Sequence, residues 1–413
     1  MNHSFRIAQL FIISFLVSVA GMAQDITSPY SIIGIGDLEN SYYNRNSGMA
    51  NTGISLRSGK NLYQANPASY SALDNQFFTF ELGAVAKTVT YKGDNIDPSN
   101  NNNSDFIIKK VAAGFKITRR WGVGFGLSPF SSVSYLFNVN HDNTLTSVEG
   151  NGGLNQLTMG HAYRITKNFS LGVNAAYLFG SVKQTESLVD PYSQSVLATT
   201  LNSYYRKLNL TYGLQYLANL NKKLDYNLGL IYSPENKLSG ETGLLVTNNT
   251  TEIIRDETLK ATGFTLPATY GIGMSLTKNR LLTFAADYKY ENWSDTKYRN
   301  QGVSLVNSQR YSAGVDFNKV KAERDALYEI YNLQAGVFFK NSELNINGEQ
   351  LTEYGFTVGA GKPVSRGRIN LNLALEVGTR GTTHNGLIKE NYGQLTLNIS
   401  YRDYWLTRGR KYD

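Results

Sequence analysis

Few side chains in this sequence could do covalent chemistry. Among 413 residues there is no cysteine and there are four histidines. The missing thiols remove cysteine nucleophiles, thiolate zinc and iron–sulfur sites, disulfides and a lipoprotein anchor together. His3, His141, His161 and His384 lack the spacing of a metal-binding helix. His141 and Asp142 are adjacent, as at the rim sites of some barrel enzymes, but no Gly-x-Ser-x-Gly elbow accompanies them and solvated loop is the better reading. Gly48 to Gly53 lacks the Lys-Ser/Thr of a phosphate loop, and Asp94, Asp97 and Asp105 are too irregularly spaced for a calcium loop. These residues point away from an enzyme and call for no metal and no cofactor.

The elements that would position any site are those of an exported membrane protein. Residues 1–23 carry one positive charge at Arg6, an apolar run over residues 7–20, and small residues at Gly21 and Ala23, the form of a secretory signal cleaved before Gln24. The run falls short of the roughly 20 residues that span a hydrocarbon core. Export makes nucleic acid an improbable partner for the formal net charge of +8, which suits anionic head groups at a membrane rim.

Beyond Phe77 the pattern has period two. Leu371, Leu373, Leu375 and Val377 alternate with Asn370, Asn372, Ala374 and Glu376, as strand residues do. The same alternation runs through Leu208 to Tyr216, Phe169 to Phe179, Leu282 to Tyr290 and Leu395 to Tyr401. About 14 such runs, many near 10 residues, fit a transmembrane barrel better than ordinary strands of about 5 or 6. The 28 tyrosines suit interfacial girdles, where the ring is apolar and the hydroxyl wet.

Connection lengths give an independent signal. Short basic turns at Thr118-Arg119-Arg120, Thr166-Lys167-Asn168, Asn221-Lys222-Lys223, Thr277-Lys278-Asn279 and Lys362 to Arg366 alternate with long polar stretches. These are Gly93 to Asp105, His141 to Gly153, Gln184 to Thr199, Ser233 to about Lys260, and Asn292 to Ser308. Short periplasmic turns and long outer loops belong to membrane barrels, whereas a soluble sandwich has no reason to segregate them. The stretch Asn318 to Glu329 breaks the alternation and reads as a long connection with a small helical turn.

Residues 24–75 show no sustained alternation and are rich in glycine. Their apolar content, including Ile32, Ile33, Ile35 and Leu62, argues against a disordered tail. Irregular backbone is tolerated at membrane depth only inside protein or beside water, so a hatch in the lumen is preferred to a periplasmic tail. The organisation expected is a signal (1–23), a hatch (24–75), an all-β, about 14-stranded antiparallel barrel (76–405) and a basic tail (406–413). The tail, with Arg408, Arg410 and Lys411, is either solvated or a contact for a periplasmic partner.

Gly48-Met49-Ala50-Asn51-Thr52-Gly53-Ile54, then Tyr63 to Tyr70 with Asn66-Pro67-Ala68, resembles the hatch of the FadL family of outer-membrane transport proteins. Pro129-Phe130 is similar to the site of that family's kinked third strand, and Leu266-Pro267-Ala268 leading to Trp293-Ser294 resembles its Leu-Pro and Trp-Ser regions. Ser28 to Ser31 and Gly34 to Leu38 resemble a Bacteroidetes-type branch. The likeness extends from about Gly34 to the last run, in the right order. It implies a Gram-negative outer-membrane barrel that takes up long-chain fatty acids or other hydrophobic small molecules through a hatch-gated, laterally open path. Asn66, Pro67 and Ala68 would be hatch or gate residues, Pro129 and Phe130 the third-strand kink, and Gly48, Gly53, Pro267, Trp293 and Ser294 structural motif positions.

Proline cannot donate a ladder hydrogen bond, so Pro129 should bend its strand and interrupt pairing; a bulge that shapes the wall is as good a reading as a gate. For Asn66 an Asx turn that locks the hatch competes with gate control. Inward faces rich in Asn, Thr, Gly, Gln and Lys leave the apolar pocket unassigned. The alternative role is a barrel of a type 9 secretion or surface-attachment apparatus, whose partner is a periplasmic or secreted protein. A polar porin is the third reading.

Overall fold

The computed structural model describes residues 28–39, 42–94, 96–141, 144–189, 195–221, 223–249, 252–260, 263–296, 299–300, 302–323 and 326–404. The signal and the basic tail lie outside the described residues. Fourteen antiparallel strands close into a barrel. They are β1 (Phe77–Lys92), β2 (Asn102–Lys116), β3 (Trp121–His141), β4 (Thr144–Arg164), β5 (Phe169–Val189) and β6 (Val196–Asn221). Next, β7 (Leu224–Ser233) continues as Asn236–Lys237 and Ser239–Asn248, and β8 comprises Glu252–Lys260, Thr265–Leu266 and Thr269–Lys278. Then β9 (Leu282–Glu291) is followed by β10 (Val303–Leu305 and Ser308–Glu323), β11 (Ala326–Ile346), β12 (Glu349–Val364), β13 (Ile369–Arg380) and β14 (Lys389–Tyr404). Each pairs with its sequence neighbour, and β1 meets β14 in unbroken register from Phe77↔Tyr404 to Lys92↔Lys389.

The alternation has its apolar side outward. Leu373 is 47% exposed while Asn372 is 6% exposed, the reverse of a soluble sheet and the arrangement a bilayer selects. Tyrosines extend the outward band: Tyr212, Tyr232, Tyr270 and Tyr290 form a ladder across β6 to β9, with ring centroids 6.4, 5.2 and 6.4 Å apart.

The short turns fall at one end, which in membrane barrels is periplasmic. Two expectations about connections need correction. Asn318 to Glu329 is no long connection: β10 and β11 pair as far as Glu323↔Ala326, so the alternation of ends is unbroken. Most of the long polar stretches are also paired. β3 and β4 remain in register to His141↔Thr144, and β6 runs for 26 residues. Threonine, serine and valine are competent strand formers once a neighbour supplies the ladder, so polarity there marks strands that continue past the apolar band.

Residues 28–39 and 42–75 lie in the lumen and touch inward-facing residues on several sides of the ring. Close approach demands glycine in the wall. A Cβ on Gly172 of β5 would lie 2.3 Å from Ala68 N, and one on Gly336 of β11 would lie 2.5 Å from the Met49 carbonyl carbon.

Candidate functional site: the hatch and the break in the wall

Asn66 and Pro67 start a 3-10 turn over Pro67–Ala72 in which Asn66 is the cap and Pro67 the first residue. Proline's fixed φ and missing N–H suit that position. Asn66 Oδ1 accepts from Ala68 N at 3.0 Å, while Nδ2 donates to the carbonyls of Ile54, Leu214 and Leu230 at 3.0, 2.9 and 3.2 Å. The side chain is thus both an Asx cap and a pin from the hatch to β6 and β7. Asn66→Ala is expected to lose the cap and the bonds to Leu214 and Leu230, while the Ile54 carbonyl keeps Gln215 Nε2 as a donor at 3.1 Å, destabilising the hatch by about 2 kcal/mol; protease cutting within residues 55–75 in folded barrels would measure it, and unchanged protection would refute the pin.

Gly48 and Gly53 belong to the same seat. A Cβ on Gly48 would lie 2.8 Å from Gly359 Cα of β12, and Gly53 N donates to Asp287 Oδ2 at 2.6 Å. Ser294 is at an exposed turn, its N–H donating to Asn307 at 3.0 Å. Pro67, Phe130, Pro267 and Trp293 meet on a luminal cavity of about 190 Å³ that Asp287, Lys289 and Arg310 also line. Gly48, Gly53, Asn66, Ala68, Pro129 and Ser294 lie off its lining.

The wall breaks where Pro129 stands. β2 and β3 pair only from Lys116↔Gly122 to Val111↔Leu127. On its other side β3 keeps pairing with β4, with a bulge between Pro129 and Ser131 that leaves Phe130 out of register. The freed edge of β3 is taken by the hatch. Asp37–Leu38 pairs antiparallel with Ser131 and Ser132, Ser28 N donates to the Ser134 carbonyl at 2.7 Å, and Glu39 N donates to that of Phe130 at 3.0 Å.

Ion pairs fasten this segment to the rest of the ring. Lys109 of β2 meets Glu39 at 2.6 Å, so Glu39 bridges the two strands that have parted. Arg380 of β13 grips Asp37 with two hydrogen bonds of 2.9 and 2.8 Å, and Ser28 Oγ donates to Glu390 at 2.9 Å. Further along the hatch, Arg45 binds Glu329 at 2.8 Å and Asp316 at 3.5 Å. Burial pushes the Asp37 carboxyl up, but the facing Arg380 charge and its hydrogen bonds leave it below the usual range. A depressed carboxyl contributes stability that is full above its unfolded pKa, about 3.9, and fades as pH falls through the folded value. Protection of residues 28–39 from protease is therefore expected to hold from neutral pH to about 4 and to weaken only below it; loss between pH 5 and 7 would contradict the assignment.

A second cavity of about 170 Å³ lies beside this segment, lined by Asp37, Glu39, Lys87, Lys109, Arg310 and Arg380 among others. Of these only Asp37, within Gly34 to Leu38, falls in a segment that the sequence picks out. The available signal was their place inside alternating strands, as for Lys289, Arg310 and Arg380, where a charge must point to the lumen; their partners could not be read.

A family model described as BamG matches residues 6–413. The chain belongs to the BamG family. No curated protein matches. Solved structures resembling this BamG-family barrel include a Pseudomonas aeruginosa FadL homologue, with 15% identity, TM-score 0.62, and 90% of this chain and 100% of that one covered. The P. putida toluene transporter TodX has 14% identity, TM-score 0.59 and 90% and 100% coverage. At those identities the likeness is of fold, a 14-stranded barrel typical of the Gram-negative outer membrane. The FadL resemblance of the motifs is thus a resemblance of barrel and hatch, while the family is BamG.

Proposed function

We propose that this chain is a closed, protein-binding barrel of the outer membrane, a fixed subunit that works through a periplasmic or secreted partner in the manner of secretion or surface-attachment assemblies. The observation that carries the reading is the state of the lumen. A hydrophobic-uptake channel needs an apolar cavity of ligand size, usually upward of about 300 Å³. Here the two luminal cavities hold only about 170 and 190 Å³; the first is lined largely by charged and polar groups, and the second sets Glu39, Asp287, Lys289, Glu291 and Arg310 among its apolar side chains. The apolar side chains that could have made a pocket, among them Ile35, Leu154, Leu178, Leu238 and Leu266, are packed on one another. A hatch tied to the ring by buried ion pairs also suits a subunit better than a moving gate. Membership in the BamG family supports a role apart from the uptake channels whose fold it shares.

The second reading is uptake of long-chain fatty acids or other hydrophobic small molecules, and one observation favours it. The wall is unpaired between β2 and β3 beyond Leu127, with Phe130 between that break and the cavity of about 190 Å³. Passage would require residues 28–39 to leave the break.

The test pairs two measurements on the purified full chain. Competition between a fluorescent long-chain fatty acid and unlabelled candidates should show binding no better than to an unrelated barrel, and cross-linked pull-down from native membranes should recover one partner in stoichiometric amount. Saturable displacement at low micromolar concentration, without such a partner, would reverse the order of the two readings.

A further inference from the structure

We infer that the short-turn mouth of the barrel is a docking site for an acidic polypeptide segment of a periplasmic partner; this rests on the partner-binding reading and names the partner's chemistry. The mouth gathers cations that face inward. Lys116 ends β2 and Arg164 ends β4. They share the alternation that sets Gly114 against Leu62 and Gly160 against Tyr70 of the hatch, so neither side chain is aimed at lipid. Lys116 Nζ and Arg164 Nη2 both donate to the Arg119 carbonyl, at 3.4 and 2.8 Å, which brings two positive charges to one oxygen.

Arg57 of the hatch adds a third. Its charge and that of Arg164 act against Lys116, and its Nη1 is buried with no acceptor. The carboxylate acting on Lys116 is Asp74, which is already engaged by Arg402. Among the described residues Arg57, Lys116 and Arg164 have no ion-pair partner. Like charges held together without a counter-ion lose stability to mutual repulsion, and an external anion recovers it. Exposed Lys60, Arg120 and Lys167 widen the positive area around the mouth. Several charges spread over a rim match several carboxylates along one chain better than a single small ion.

The test uses the full chain in nanodiscs of zwitterionic lipid and a fluorescent deca-glutamate peptide, read by anisotropy. Binding is expected to be saturable and to weaken at least about tenfold between about 50 and 300 mM salt. It should weaken at least about tenfold again in Arg57→Gln/Arg164→Gln. Arg164→Gln alone, which leaves the hatch untouched, should give part of that loss, and Lys278→Gln elsewhere on the rim should give none. Equal affinity in wild type and double variant overturns the inference, as does inorganic phosphate competing as well as unlabelled peptide, which would make the site one for small anions. Pull-downs separate the two levels. A native partner held equally by wild type and double variant sinks the docking site and leaves the partner-binding reading standing, whereas no partner on wild type sinks that reading and this inference with it.

Discussion

Arg380→Met is expected to free residues 28–39 from the wall and turn a closed barrel into a conducting one. Arg380 is the hub of that attachment: it holds Asp37 with two hydrogen bonds, lies 3.8 Å from Glu390, and has its guanidinium 5.2 Å from the centre of the Tyr30 ring. Without it two carboxylates face one another across the seam, and removing one partner of a buried pair costs on the order of 3 kcal/mol. That shifts the balance between seated and released segment about 100-fold. What is left to oppose release on β3 is the two-residue register of Asp37 and Leu38, the backbone bonds of Ser28 and Glu39 and the side-chain bonds of Ser31 and Ser131, none of which carries a charge pair. Single-channel recording in planar bilayers should show rare events for wild type and sustained ones for the variant, with new protease cuts before Arg45. Arg380→Lys, which retains the charge but not the two-pronged grip, should be intermediate. Silence of the Met variant in both assays would mean that the seam does not depend on Arg380.

The contrast between what the sequence revealed and what it hid follows from the range of the interactions. Leu371, Leu373, Leu375 and Val377 announce their strand because period two is local, and the basic turns announce the end at which strands reverse. Misreading Asn318 to Glu329 and the polar stretches has one cause. Beyond the apolar band both faces of a strand are wet, alternation disappears, and pairing persists without leaving a pattern. Pro129 was half legible. Its effect on hydrogen bonding is intrinsic, but that the vacated edge would be filled by Asp37 and Leu38 depends on chain about 90 residues away, and no local signal carries it. The Asn66 cap was readable from the Asn-Pro pair, whereas its grip on Leu214 and Leu230 was not. The Asn, Thr, Gly, Gln and Lys of the inward faces announced a polar interior; which carboxylates Arg310 and Arg380 would meet is a property of the closed ring.

The same reasoning makes the pair deepest in the wall the most severe single site. Glu81 of β1 and Lys110 of β2 are 0% and 1% exposed, with Nζ and Oε2 2.5 Å apart, and Glu81 Oε1 accepts the Leu62 N–H at 2.9 Å. One carboxylate therefore neutralises a buried ammonium and anchors the hatch. Glu81→Leu leaves the ammonium uncompensated and the Leu62 donor unpaired, a loss of about 4 kcal/mol. Lys110→Met leaves a buried carboxylate and should cost nearly as much. Glu81→Leu/Lys110→Met removes both charges, so its cost should be well below the sum, with the Leu62 N–H as the main residual. Urea titration of the fraction that migrates as folded barrel, with and without heating, gives the cycle. A coupling of at least about 2 kcal/mol is expected, since contacting buried charges are strongly non-additive. Additive single effects would show that Lys110 finds other compensation, such as water in the lumen, and that the hatch is held at Leu62 by the hydrogen bond alone.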